Sequence, residues 1–164
     1  MKRIALLSTA FLLTILVFGQ KSPRTQASGS IEGVMVNIDY GAPSVKGRQI
    51  WGGLEKYGKV WRAGANENTT VSFDKEVKIG GKSLAAGKYG FFIIPNENAE
   101  WTVIFNKKND AWGAYSYKEA DDALRVNVKP NFVSENQEQL KYEVGEDAIL
   151  FAWEKARLSI PVGK

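Results

Sequence analysis

The chain is 164 residues long, with 22 Lys and Arg against 18 Asp and Glu, a formal charge of +4, and neither His nor Cys. Without imidazole or thiol it has no Ser-His-Asp or Cys-His nucleophile system, no ordinary zinc, copper or haem site, and no disulfide. The small positive surplus forms no Lys/Arg stripe, which argues against nucleic acid as a partner.

The first residues read as a targeting signal. Lys2 and Arg3 open it, Ile4 to Phe18 is apolar apart from Ser8, Thr9 and Thr14, and Val17-Phe18-Gly19 falls at the cleavage spacing. The run is shorter than the roughly 20 residues a membrane span needs. A retained N-terminal anchor is the alternative, although no Cys follows that could carry a lipid. Residues 1–19 are therefore expected to be a signal peptide, with no transmembrane segment left after its removal. Loss of Lys2 and Arg3 leaves 20 basic against 18 acidic residues, a charge of +2. A mature chain of this size buries roughly 68–70 % of its unfolded surface and can stand without staples.

Lys21 to Ser30 (KSPRTQASGS) is polar and aperiodic, a flexible leader over 20–30 or an edge approach. Ile31 to Tyr40 (IEGVMVNIDY) alternates: Val34, Val36, Ile38 and Tyr40 face one way, Met35, Asn37 and Asp39 the other, the period of a half-buried strand. Gly41-Ala42-Pro43 ends it. Ser44 to Gly58 reads as a long connection with at most one helical turn, because Gly52-Gly53 weakens the spacing of Ile50, Trp51 and Leu54. Those apolar residues are expected to cap an open end of the core.

Short strands follow at Thr69 to Phe73, Glu76 to Ile79 and Lys82 to Leu84, with Gly80-Gly81 as a hairpin turn. Tyr89 to Ile94, Trp101 to Phe105, Trp112 to Tyr117 and Ala123 to Lys129 continue the series. Pro130 to Gln139 reads as a polar excursion. Leu140 to Val144, Ala148 to Trp153 and Ala156 to Val162 finish the chain. The expected fold is all-β: one antiparallel β-sandwich over 31–164, jelly-roll or immunoglobulin-like, of nine or ten short strands with a long loop region at 41–68.

The chemistry-bearing groups concentrate in that loop region. In GKVWRAGANENTT (Gly58 to Thr70), Arg62 offers a fork of donors that suits a carboxylate or phosphate, and Glu67 is its candidate internal partner. Asn66 and Asn68 could satisfy loop backbone groups. Asn68-Thr69-Thr70 also matches a glycosylation acceptor pattern. Trp51, Tyr57 and Trp61 could stack on sugar rings or fill the core, whereas Trp101, Trp112, Tyr115 and Trp153 are assigned to strands and core. Asp39, Glu55, Glu67 and Asp74 are the carboxylates that could pair for glycoside hydrolysis, with Glu67 and Asp39 foremost. Glu119, Asp121 and Asp122 could offer oxygens to a cation but lack the spacing of a calcium loop. Nothing marks Ser44 and Lys46 as an activated pair.

Five stretches read together carry a resemblance: DYGAPSVKGRQIWG (Asp39–Gly52), YGKVWRAGANENT (Tyr57–Thr69), LAAGKY (Leu84–Tyr89), WTVIFNK (Trp101–Lys107) and WGAY (Trp112–Tyr115). They resemble a family of exported proteins of Bacteroidetes-type bacteria catalogued as a domain of unknown function, numbered 2911, over about Ser22 to Val162. The resemblance implies a single β-rich domain in the periplasm, envelope or extracellular space of a Gram-negative bacterium. It brings no activity, cofactor or catalytic residue.

The leading expectation is therefore a non-enzymatic envelope protein that binds a small polar or carbohydrate ligand, or an envelope protein partner, without cofactor or metal. Arg48, Trp51, Tyr57, Trp61, Arg62, Asn66 and Glu67 would line the site, with Asp39 and Tyr40 beside it. A glycan hydrolase using two carboxylates and a purely structural interaction domain are the alternatives.

Overall fold

A computed structural model describes residues 21–164, so the segment read as a signal peptide lies outside the described residues. Its strands are β1 (Arg24–Ile31), β2 (Val34–Gly41), β3 (Thr70–Phe73), β4 (Val77–Ile79), β5 (Lys82–Leu84), β6 (Gly87–Ile94), β7 (Trp101–Asn106), β8 (Asp122–Val128), β9 (Asn131–Val144) and β10 (Ala148–Gly163). They form two antiparallel sheets, ordered β1-β2-β3-β6-β7-β8 and β5-β4-β10-β9. The fold is the expected β-sandwich. No described helix is long and apolar enough to cross a membrane.

Alternation builds the core. On β2, Val34, Val36, Ile38 and Tyr40 point inward while Met35, Asn37 and Asp39 face out or lie at the margin. The facing layer presents Ile79, Tyr142, Phe151, Trp153 and Ile160, so apolar side chains meet from both sheets. The run YGFFII supplies the two-sided strand β6, with Phe91, Phe92 and Ile93 all buried.

Four segments differ from the sequence reading. The expected leader contains β1, which pairs residue for residue with β2 from Arg24↔Gly41 to Ile31↔Val34. Its turn, Glu32-Gly33, has φ of 49° and 76°, the geometry of a tight primed hairpin. Small polar residues suffice there because an edge strand is held by its backbone ladder. The expected polar excursion at 130–139 is the first part of β9. Its residues are mostly exposed and show no period, and its ladder to β10 is what makes it a strand.

β10 is one strand, yet the break expected near Glu154 is visible within it. Glu154 has a φ of 52°, the register shifts on both sides of it, and the chain curls until Val162 N–H donates to Asp147 O at 2.9 Å. The fourth segment, Trp112 to Tyr117, is a turn instead of a strand, with Tyr117 N–H donating to Ala114 O at 3.2 Å. Trp112 and Tyr115 are 53 % and 88 % exposed and do not belong to the core.

The long connection between β2 and β3 folds back over one end of the sandwich. Ile50 and Trp51 are buried as a cap, whereas Leu54 faces solvent. Trp61 and Ile93 exchange main-chain hydrogen bonds at 2.8 and 2.9 Å, and Ala65 N–H donates to Gly41 O. A Cβ on Gly41 would lie 2.1 Å from Ala65 O, so only glycine lets the loop run this close to β2. Farther on, Asn68 N–H donates to Ala111 O and Gly113 N–H to Asn66 O. Residues 66–68 and 111–113 are thereby locked side by side.

Candidate functional site

The nine expected site residues divide into three groups. Trp51, Trp61 and Tyr40 are core. Trp61 stacks on Trp153 at 5.4 Å, and Trp51 contacts Trp101 at 4.4 Å and Trp153 at 5.7 Å. Trp61 Nε1 donates to Gly64 O at 3.1 Å. Trp51 Nε1 and Trp153 Nε1 have no oxygen acceptor, but the two rings meet edge-on, where a π face can accept a weak N–H contact. Tyr40 meets Tyr142 edge-on, and its hydroxyl accepts from Tyr142 N–H at 3.2 Å.

Asp39, Asn66 and Glu67 anchor the first described residues. Arg24 Nε pairs with Asp39, and its other nitrogens donate to Glu67 O at 3.2 Å and Asn68 O at 2.9 Å. Asn66 Nδ2 donates to Ser22 O at 3.2 Å. Lys21 Nζ sits 3.1 Å from Glu67 Oε1 and above the Trp112 ring. Its own main-chain N–H first, then Lys21, hold the Glu67 carboxyl below the usual range. The hydrolase reading required an acid with a raised pKa in the Asp39–Glu67 pair; Glu67 is shifted the other way and both are tied to cations. Asn68 is only 3 % exposed, which removes it as a glycan acceptor in the folded chain. Glu119 and Asp122 pair with Arg125, and the described residues hold no cluster suited to a metal.

The remaining residues sit apart from these. Arg48 donates to Val45 O and Ser44 O. Burial first, then the Glu97 and Glu154 carboxylates, push the Tyr57 hydroxyl up. Arg62 does not pair with Glu67. It donates from Nη1 to Asn66 O at 3.1 Å and makes no ion pair among the described residues. Instead it lines a cleft of about 250 Å³ with Glu55, Val60, Trp61, Ala114 and Tyr115.

Glu55 is the acid the hydrolase reading looked for, in another place. Burial raises its pKa from an ordinary 4.5 to about 7, while Arg62 and then Arg48 oppose the rise. The folded chain therefore holds an extra proton between about pH 4.5 and 7. Stability falls as pH rises through that window and levels off above it, by an amount on the order of 3 kcal/mol. Urea unfolding of Glu55→Gln against the parent, from pH 4 to 8, is expected to show the slope flattened in the variant.

Gly113 lies against two of the cleft's lining residues, Arg62 and Tyr115. Its φ is 64°, and a Cβ there would lie 2.8 Å from Arg62 Nη1 and 3.2 Å from the Tyr115 ring. Gly113→Ala is expected to cost about 1–2 kcal/mol through the left-handed backbone alone and to push Arg62 aside. Chemical denaturation measures the first effect and the Arg62 side-chain resonances the second.

The sequence reading named Glu55 as one of four carboxylates that could pair for glycoside hydrolysis, but left it out of the expected binding site, and assigned Tyr115 to the core. The signal it passed over is WGAY itself, where a glycine between two aromatics interrupts a short apolar run and marks a turn that presents rings outward. The chain matches, over residues 22–162, the model of a family described as "Protein of unknown function (DUF2911)". No curated protein matches it, and no solved structure does.

Proposed function

The chain belongs to the DUF2911 family, and since that family brings no activity with it, we propose that this protein is an exported, non-catalytic binding domain of the periplasm or cell envelope of a Gram-negative bacterium. Its ligand is a small polar, glycan-like molecule held between Glu55, Arg62 and Tyr115. The observation that carries this reading is Arg62: a guanidinium fixed by a main-chain carbonyl, in no ion pair among the described residues, facing a cleft. Arginine in that state has donors left for a carboxylate or hydroxyls. The largely solvated Tyr115 ring offers a face on which a sugar ring can stack. Glu55 adds a carboxyl that donates or accepts according to pH. The cleft is small, which fits one sugar ring and not a long chain.

A thermal-shift screen against monosaccharides, uronic acids, small anions and Ca²⁺ tests the reading. A ligand at 100 times its Kd stabilises by about 2.7 kcal/mol. A shift from a sugar or uronic acid that disappears in Arg62→Ala supports the proposal; no shift from any class moves the protein to the structural, interaction-domain reading.

A further inference from the structure

A second cleft, of about 400 Å³, lies between the Val45–Arg48 turn and residues 21–23, and it shares no lining residue with the Glu55 cleft. We propose that it binds a small tetrahedral oxyanion, a phosphate or sulfate group, either free or carried on a sugar.

Apart from Pro23, the lining is cationic and polar. Lys21, Lys46 and Arg48 contribute positive charge, Ser22 and Ser44 hydroxyls, and Gln139 an amide; no acidic residue and no aromatic ring lines it. Lys46 and Arg48 make no ion pair among the described residues, so the repulsion between these like charges is not relieved by a salt bridge. An anion placed between them removes that repulsion and gains charge-assisted hydrogen bonds. Lys21 is engaged with Glu67 at 3.1 Å and adds field more than contact.

The cationic groups are also held in place. Arg48 Nε donates to Val45 O at 3.0 Å and Nη2 to Ser44 O at 2.5 Å, which fixes the plane of the guanidinium while leaving other N–H groups of its fork for a ligand. The turn closes through Arg48 N–H to Val45 O at 3.1 Å, with Lys46 and Gly47 at φ of 49° and 66°. It is tied to β9 by Val45 N–H to Glu138 O at 2.7 Å and Lys46 N–H to Glu138 Oε1 at 2.8 Å. That carboxylate is occupied by the backbone. The opposite wall is fixed by Ala42 N–H to Pro23 O at 2.8 Å and Asn66 Nδ2 to Ser22 O at 3.2 Å. Ordering of these groups before a ligand arrives reduces the cost of binding.

The test is a ¹⁵N NMR titration with inorganic phosphate, sulfate and glucose 6-phosphate, with chloride at matched ionic strength as reference. Saturable shifts at Ser22, Ser44 to Arg48 and Gln139 are expected from phosphate and sulfate. Affinity is expected to fall at least tenfold in both Lys46→Gln and Arg48→Ala, and to stay unchanged in Arg62→Ala. Glucose 6-phosphate binding tighter than phosphate assigns a sugar-borne group, and weaker binding assigns the free ion. Equal shifts from chloride, or parental affinity in Lys46→Gln, whose exposed side chain has no hydrogen-bond or ion-pair partner among the described residues, overturn the proposal.

Discussion

Trp61→Ala is expected to destabilise the protein by about 3–5 kcal/mol, the range for removing a large buried aromatic from a packed core. The indole is 4 % exposed, lies nearly parallel to Trp153 and edge-on to Trp51 and Phe151, and spends its N–H on Gly64 O. Truncation leaves a void between the capping loop and the sandwich and removes the bond to Gly64 O. A domain of this size has about 5–15 kcal/mol in hand, so the loss is a large share of the total. Equilibrium urea unfolding measures it. Trp61→Phe keeps ring packing but loses the hydrogen bond, and should cost less than half as much. If Trp61→Ala unfolds like the parent, the tryptophan cluster does not hold the loop.

Arg62→Ala should behave in the opposite way, with little change in stability and a large change at the cleft. Its only side-chain hydrogen bond among the described residues is to Asn66 O, worth about 1–2 kcal/mol, and its removal breaks no salt bridge among them. Without ligand, the readout is Glu55: Arg62 opposes the rise of that carboxyl, so its titration should move above about 7 in the variant, followed by carboxyl ¹³C shifts. With ligand, loss of a charge-assisted contact of about 1.5–3 kcal/mol corresponds to at least tenfold weaker binding. Arg62→Lys keeps the charge without the planar fork and should fall between. Glu67→Ala, which breaks only an exposed pair with Lys21, should leave both readouts unchanged.

The sandwich was legible because alternation reports burial directly. Val34, Val36, Ile38 and Tyr40 on β2, and the continuous YGFFII of β6, each have one physical interpretation. β1 and the first half of β9 escaped detection because their side chains are largely solvated; hydrogen bonds to β2 and β10 define them, and backbone pairing leaves no mark on composition. The site was half legible. GKVWRAGANENTT does contain the arginine that faces the cleft, but Trp61 and Asn68 in the same stretch are buried. Glu55, the acid that lines the cleft with Arg62, lies before the motif, and Tyr115 on the same cleft lies far beyond it. Pairing of Arg62 with Glu67, the nearest acid in sequence, fails because the locked strips 66–68 and 111–113 turn Glu67 toward Lys21. Proximity in sequence is a poor guide where two loops meet.

The most direct test of the Arg62 cleft as a ligand site is a ¹H–¹⁵N titration of the protein with D-glucuronate and D-glucose. The expected result is a saturable set of shifts at Glu55, Arg62 and Gly113 to Tyr115, absent in Arg62→Ala. Shifts that persist in Arg62→Ala, shifts confined to other surfaces, or no response to either sugar would contradict it.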